Sequence, residues 1–242
     1  MTRWVRGLRF GAVMCTIAAL FSFPHSSVFA VRTVVVSGNR ALPESEVLHW
    51  ARLRTGIPLA RIREEEVTAH LLRHPRIRTA RVEFRWPHTV VLHIAERIPV
   101  LHVVVGDRVL VVDEEGVVLD GRGEDLLPLL VEFRVPPTPL GARLASPRLQ
   151  EAVRALAALP EEGRHQLFLA RLDPEGSLHV KLRSGPWVQV RLEDDLRTRL
   201  RTAEAVVRAL EREGISVESV DLRFGDRAIV RPRGRTPMAP VE

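Results

Sequence analysis

Two runs of alternating apolar and polar residues, Ile77 to Arg85 and Thr89 to Glu96, stand only Trp86-Pro87-His88 apart. Alternation is the period of a strand with one buried face, and so short a link reads as a hairpin. Ala80, Val82 and Phe84 share one face of the first strand; Val90, Leu92 and Ile94 share one face of the second. Upstream, Val31 to Val36 is β-branched and strand-like, and Ser37-Gly38-Asn39 is turn chemistry. Pro43, Glu44 and Glu46 suit the opening turn of a helix running to about Arg54, with Val47, Trp50, Ala51 and Leu53 inward and Gly56 and Pro58 as its stop. A second helix fits Glu64 to Arg73, where Val67, His70 and Leu71 share a face, and His74-Pro75 breaks it. The order strand, helix, helix, strand, strand predicts a small α+β domain.

The hairpin carries His88 and His93, but no carboxylate stands at a spacing that orients either for base catalysis, so both read as solvated or rim residues. Glu96-Arg97 before Pro99 reads as the end of a strand and the exit into the next domain. His70 and His74 could share a metal on one helix face, yet Pro75 follows directly and spacing offers no third ligand. The Glu64-Glu65-Glu66 run reads as a solvated helix start, and Asp113-Glu114-Glu115-Gly116 as a hairpin turn rather than a cation loop. Neither a nucleophile elbow nor a phosphate-cradling Gly-rich loop is present in the sequence. The expectation is a protein without catalytic residues, metal or cofactor.

Composition narrows the rest. The chain is 45% hydrophobic and 27% charged, as folded proteins are. Its net charge of +6 is spread among alternating acids and bases without interleaved aromatics, which argues against nucleic acid. The single cysteine, Cys15, allows no disulfide within the chain. Arg3, Arg6 and Arg9 precede an almost uncharged stretch from Phe10 to Ala30. As a helix rising ~1.5 Å per residue it would just cross a hydrocarbon core ~30 Å thick, leaving the arginines in the cytoplasm. A cleaved signal peptide fits the same residues, because Pro24 and His25 interrupt the run and Val28-Phe29-Ala30 has the pattern of a cleavage site. Both readings export the chain beyond residue 30.

Beyond residue 100, VLHVVVGDRVLVVDEEGVVLDG contains β-rich runs parted by Gly106-Asp107 and Glu115-Gly116, a tight meander. Residues 136 to 147 are proline-rich and predict an exposed connection before a helix near Arg148 to Leu159. Strand runs follow at about 166 to 172, 177 to 183 and 187 to 192. Leu196, Leu200, Ala203, Val207 and Leu210 then recur at helical spacing, with Gly214 where a C-terminal cap belongs, so a long helix should lie on its own sheet. In VESVDLRFGDRAIVRP, Val220, Leu222 and Phe224 share one strand face and Asp221 and Arg223 the other; Gly225-Asp226 turns the chain into a closing strand near Arg227 to Arg231. A final strand frequently lies at a sheet edge, where unpaired backbone groups accept another chain.

In order and spacing, VVVSGNRALPESEV, GIPLARI, LLRHPRIRTARVEFRWPHTVVLHIAERIPV, VVDEEGVVL and VRLEDDLRTRLRTAEAVVRALEREGISVESVDLRF resemble the POTRA module and its continuation in the bacterial cell-division family FtsQ/DivIB. The likeness covers most of residues 31 to 231, with 121 to 186 alike only in rough architecture. Where the family often has a glycine before the long helix, this chain has Leu192-Glu193-Asp194, leaving Asp194 or Asp195 as the cap.

The resemblance implies a cytoplasmic tail (1–9), an uncleaved transmembrane anchor (10–30), a POTRA domain of β-α-α-β-β order (31–100), a β-rich domain with a long C-terminal helix and terminal edge strands (101–231), and a flexible tail (232–242). It also implies a noncatalytic divisome scaffold, single-pass in the cytoplasmic membrane at the septum with its bulk in the periplasm. Its expected partners are the division proteins FtsB and FtsL, with control of septal peptidoglycan synthesis as the outcome. Arg223 and Phe224 match family positions that contact FtsB, as ion-pair donor and aromatic anchor, and Val220, Leu222, Gly225 and Arg227 complete the expected strip. From the residues alone, Phe224 would close the core and Arg223 would pair with a neighbouring acid. A rival for the same modules is an outer-membrane protein assembly factor, but those modules usually precede a β-barrel, and only PRGRTPMAPVE follows residue 231.

Overall fold

The computed structural model describes residues 29–121, 127–132, 136–225 and 227–233. The chain divides into two compact units, Met1–Arg97 and Ile98–Glu242. The expected anchor, apart from Phe29 and Ala30, lies outside the described residues, as does the tail beyond Arg233. Among the described residues no helix is long and apolar enough to cross a membrane.

In the first unit β1 (Thr33–Ser37), β2 (Ile77–Arg85) and β3 (Thr89–Glu96) form a sheet of order β1-β3-β2. β3 pairs antiparallel with β2 across the hairpin and parallel with β1. Helices α1 (Glu44–Ala51) and α2 (Glu64–Leu71) cover it, joined by a short 3-10 turn at Leu59–Arg61. Val47, Ala51, Val67 and Leu71 meet Val82, Val90, Leu92 and Ile94 in one core, so period 3.6 on the helices meets period 2 on the strands. Both helices stop earlier than expected. Arg52 takes a left-handed conformation, φ 54°, just after α1, well before Gly56, and α2 ends at Leu71, leaving His74 in the turn beyond.

Gly38 and Glu96 lock the loop after β1. Gly38 has φ +91°, and a Cβ placed there would lie 2.0 Å from the Ile94 carbonyl oxygen. The Glu96 carboxylate accepts the backbone N–H groups of Arg40, Ala41 and Leu42 at 2.6, 3.0 and 3.0 Å. Glu96 is thus a clamp on the β1–α1 loop as well as the end of β3.

The second unit is a nine-stranded sheet of order β12-β11-β10-β9-β8-β7-β4-β5-β6. Its strands are β4 (Pro99–Val105), β5 (Arg108–Asp113), β6 (Val118–Leu119), β7 (Leu129–Val131), β8 (Leu167–Leu172), β9 (Ser177–Leu182), β10 (Trp187–Arg191), β11 (Val217–Phe224) and β12 (Arg227–Pro232). Helices α3 (Pro147–Ala157) and α5 (Leu196–Arg212) pack into its core, and a short α4 (Glu161–Gln166) leads into β8. The sequence expectation contained neither β7 nor α4. Ser146 caps α3 by accepting the N–H of Leu149, and Asp195 caps α5 by accepting that of Arg197.

Register fixes which side chains enter the core. Val103, Leu130, Ala170, Val180, Val188, Val220 and Val230 stand opposite one another in one row from β4 to β12. Leu149, Leu156, Leu196, Leu200, Ala203 and Val207 of the helices share the cluster with this row. The alternate row, Arg171, His179, Gln189, Asp221 and Ile229, lies on the other face.

Candidate partner-binding edge

The edge of the C-terminal sheet is β12, not β11. β11 is hydrogen-bonded on both sides, parallel to β10 and antiparallel to β12. β12 has β11 on one side, and among the described residues no strand pairs with its other side. The opposite edge, β6, is covered by a loop: Gly141 donates to the Val118 carbonyl, and Val118 to that of Ala142. β12 is therefore the sheet edge with backbone groups open to another strand. Its side chains are exposed except the half-buried Val230, and Ile229 retains 56% of its accessible surface.

The expected contact residues separate along β11. Val220 and Leu222 are 0% and 2% exposed and belong to the core cluster, so their side chains pack inward. Phe224 points the other way from the expected inward face: it is 54% exposed rather than closing the core. A register shift between Asp221 and Phe224 breaks the alternation of β11 before Phe224, which faces Arg227 of β12. Gly225 turns the chain at φ +66°. Its carbonyl accepts the Arg199 guanidinium at 2.8 Å, and Arg199 also pairs with Asp194 at 3.2 Å. The first turn of α5 is thereby tied to the β11–β12 turn, and no spacing in the sequence links Arg199 to Gly225.

Arg223 does find a neighbouring acid. Its Nη2 lies 2.8 Å from Asp221 Oδ2, its Nε donates to Oδ1 at 3.0 Å, and its backbone N–H donates to the same Oδ1 at 3.1 Å. Nη1 reaches the Ser177 hydroxyl at 3.4 Å. Burial works to raise the Asp221 carboxyl, but the side-chain and backbone hydrogen bonds from Arg223 outweigh it and hold the group below the usual carboxylate range. The same pair raises Arg223. The guanidinium carbon also stands 5.8 Å from the centre of the Phe224 ring, within cation–π range. The pair holds Arg223 beside Phe224, at the root of the β12 edge.

The other chemical candidates are dispersed. His93 Nε2 lies 2.8 Å from Glu83 Oε2, so the cross-strand diagonal supplies a carboxylate that linear spacing did not reveal. Glu83 also accepts Arg85 Nε at 2.7 Å, and Arg85 first, then His93, draws the Glu83 carboxyl down to about 2. That group is open to solvent. His74 is 4% exposed; its Nδ1 accepts the N–H of Arg76, so Nε2 donates to Glu46 at 3.2 Å. Its ring stands edge-on to Trp50, a packing role. Asp113 Oδ1 accepts the N–H groups of Glu115 and Val117, shaping the β5–β6 turn. Among the described residues no group of three or more His, Cys, Asp or Glu could hold a metal ion.

Residues 29–97 match the family described as POTRA domain, FtsQ-type, and residues 102–223 match Cell division protein FtsQ/DivIB, C-terminal. The Cell division protein FtsQ of Streptomyces collinus is 31% identical over 193 residues, 76% of this chain and 73% of that protein. The protein of the same name in Streptomyces coelicolor is 32% identical over 163 residues, 63% of this chain and 60% of its own length. That of Myxococcus fulvus is 31% identical over 202 residues, 80% of this chain and 69% of its own. Among solved structures, the major extracytoplasmic domain of the cell division protein DivIB from Geobacillus stearothermophilus aligns at 20% identity with a TM-score of 0.35, covering 49% of this chain and 97% of that one.

Proposed function

The chain belongs to the FtsQ/DivIB family of bacterial cell division proteins, and from that membership we propose that it is a noncatalytic scaffold of the division machinery whose β12 edge takes up a segment of FtsB. FtsB travels with FtsL, and through this pair the scaffold brings septal peptidoglycan synthesis under control. Residues 10–30 anchor it in the cytoplasmic membrane, with residues 1–9 in the cytoplasm and the POTRA domain, which ends at Arg97, and the β domain, from Ile98 onward, outside. The observation that supports the partner site is an edge strand open on its outer side, with exposed Phe224 and Ile229 beside it. An added strand would draw affinity from the backbone of β12 and selectivity from alternate side chains. Arg223, steadied by Asp221, would supply a positive group to an acidic partner side chain, and Phe224, Gly225 and Arg227 would line the turn where the strand begins.

The test is direct titration of FtsB onto the full chain and its Phe224→Ala variant. An exposed aromatic anchor at an interface is worth about 2 kcal/mol or more, so affinity should fall about thirtyfold or more while the circular dichroism spectrum is kept. Unchanged affinity in the folded variant would overturn the site. Depletion of the protein in its own cells should give long filaments without septa; normally dividing cells would count against the division role.

A further inference from the structure

Phe29 packs edge-on against Trp86 at the tip of the β2–β3 hairpin, with ring centres 5.4 Å apart at 72°. The next residues are gripped on both sides. Val31 donates to the Ile57 carbonyl and accepts from Gly56, each at 2.9 Å, and Arg32 donates to His88 at 2.9 Å. The chain therefore enters this domain through a slot between the loop around Gly56 and the hairpin tip. Trp86 remains 56% exposed in spite of its contact with Phe29, and Arg32, whose N–H bonds the His88 carbonyl, and Arg54, two residues before Gly56, are exposed as well.

From Phe10 to Ala30 the sequence has no Asp, Glu, Lys or Arg. A helix needs about 20 such residues to cross the hydrocarbon core, so a span that begins after Arg9 ends at Phe29. Whatever holds Phe29 at the outer face of the bilayer then holds Trp86 one ring contact away. An indole, with its apolar body and single N–H donor, is at its most favourable in the headgroup layer, and exposed guanidinium groups pair with lipid phosphates. We propose that Trp86, aided by exposed Arg32 and Arg54 of the same entry region, is a membrane-docking point that inserts into the outer headgroup layer and fixes the orientation of the first domain on the bilayer. The inference rests on the anchor assigned to residues 10–30 under the proposed function.

The test uses the full chain reconstituted into vesicles of phosphatidylcholine and phosphatidylglycerol, with and without lipids brominated in the upper acyl chain. The chain also carries Trp4, Trp50 and Trp187, so the emission of Trp86 is read as the difference between the parent and Trp86→Phe, which keeps a ring against Phe29. That difference should be largely lost in brominated vesicles. Equal difference emission with and without bromine, in vesicles that float with the chain after an alkaline wash, overturns the docking point and leaves the anchor standing. A chain that the wash removes overturns both.

Discussion

The Glu96 carboxylate accepts the backbone N–H of Arg40 at 2.6 Å, across 56 residues of sequence, and takes those of Ala41 and Leu42 as well. One side chain at the end of β3 thus satisfies three consecutive backbone donors of that loop. Hydrogen bonds to a charged group are worth about 1.5–3 kcal/mol each when buried and less when solvent competes. Glu96→Ala should therefore destabilise the first domain by about 2 kcal/mol. Urea unfolding checks it, followed by the emission of Trp50, which packs beside that core, in a background where the other tryptophans are replaced by Phe; a loss below the error of the fit would mean that water replaces the clamp.

The same loop sets a second expectation. Gly38 combines φ +91° with a virtual Cβ 2.0 Å from the Ile94 carbonyl, so an alanine would be strained by its backbone and obstructed by the central strand. The left-handed conformation alone costs about 1–2 kcal/mol, and displacement of β3 adds to it. Gly38→Ala should lower stability by more than Glu96→Ala does, measured in the same urea series.

The hairpin from Ile77 to Glu96 and the helix from Leu196 were legible because each announces itself locally, by strict alternation or by apolar residues at helical spacing. β7 was not, because Leu129–Val131 is too short to show a period and is a strand only by pairing with β4 and β8. The candidate edge was half legible. Alternation placed Val220, Leu222 and Phe224 on one face, and the register shift beyond Asp221 then released Phe224 to solvent. Which of β11 and β12 is the edge depends on the parallel pairing of β10 with β11, a long-range contact that no local pattern encodes.

Acid should reveal the Asp221–Arg223 pair. The folded Asp221 carboxyl lies below the usual range, against the push of burial, because Arg223 bonds the charged form. A depressed folded value means that the unfolded chain takes up the proton first. The contribution of the pair is therefore fully present above the unfolded value, about pH 3.9, and is lost as pH falls below it. Asp221→Asn should be less stable than the parent at neutral pH, and the two should converge as pH drops toward 2. Parallel curves across that range, in unfolding measured at a series of pH values, would show that the pair contributes no pH dependence.

Phe224 and Leu222 sit two residues apart on β11 and should behave oppositely. Leu222 is 2% exposed within the core cluster, so Leu222→Ala should cost about 2–5 kcal/mol, transfer and cavity together. Phe224 is 54% exposed and stands beside the Arg223 guanidinium at 5.8 Å, a contact worth about 0.5 kcal/mol at an exposed site. Phe224→Ala should shift stability by no more than about 0.5 kcal/mol. Thermal and urea unfolding of both variants checks the contrast. If Phe224→Ala unfolds as readily as Leu222→Ala, then Phe224 serves the core, and any loss of partner binding in that variant reports misfolding rather than a lost contact. If the contrast holds, the ring is on the surface at little benefit to folding, which fits an exposed apolar group at an interaction site.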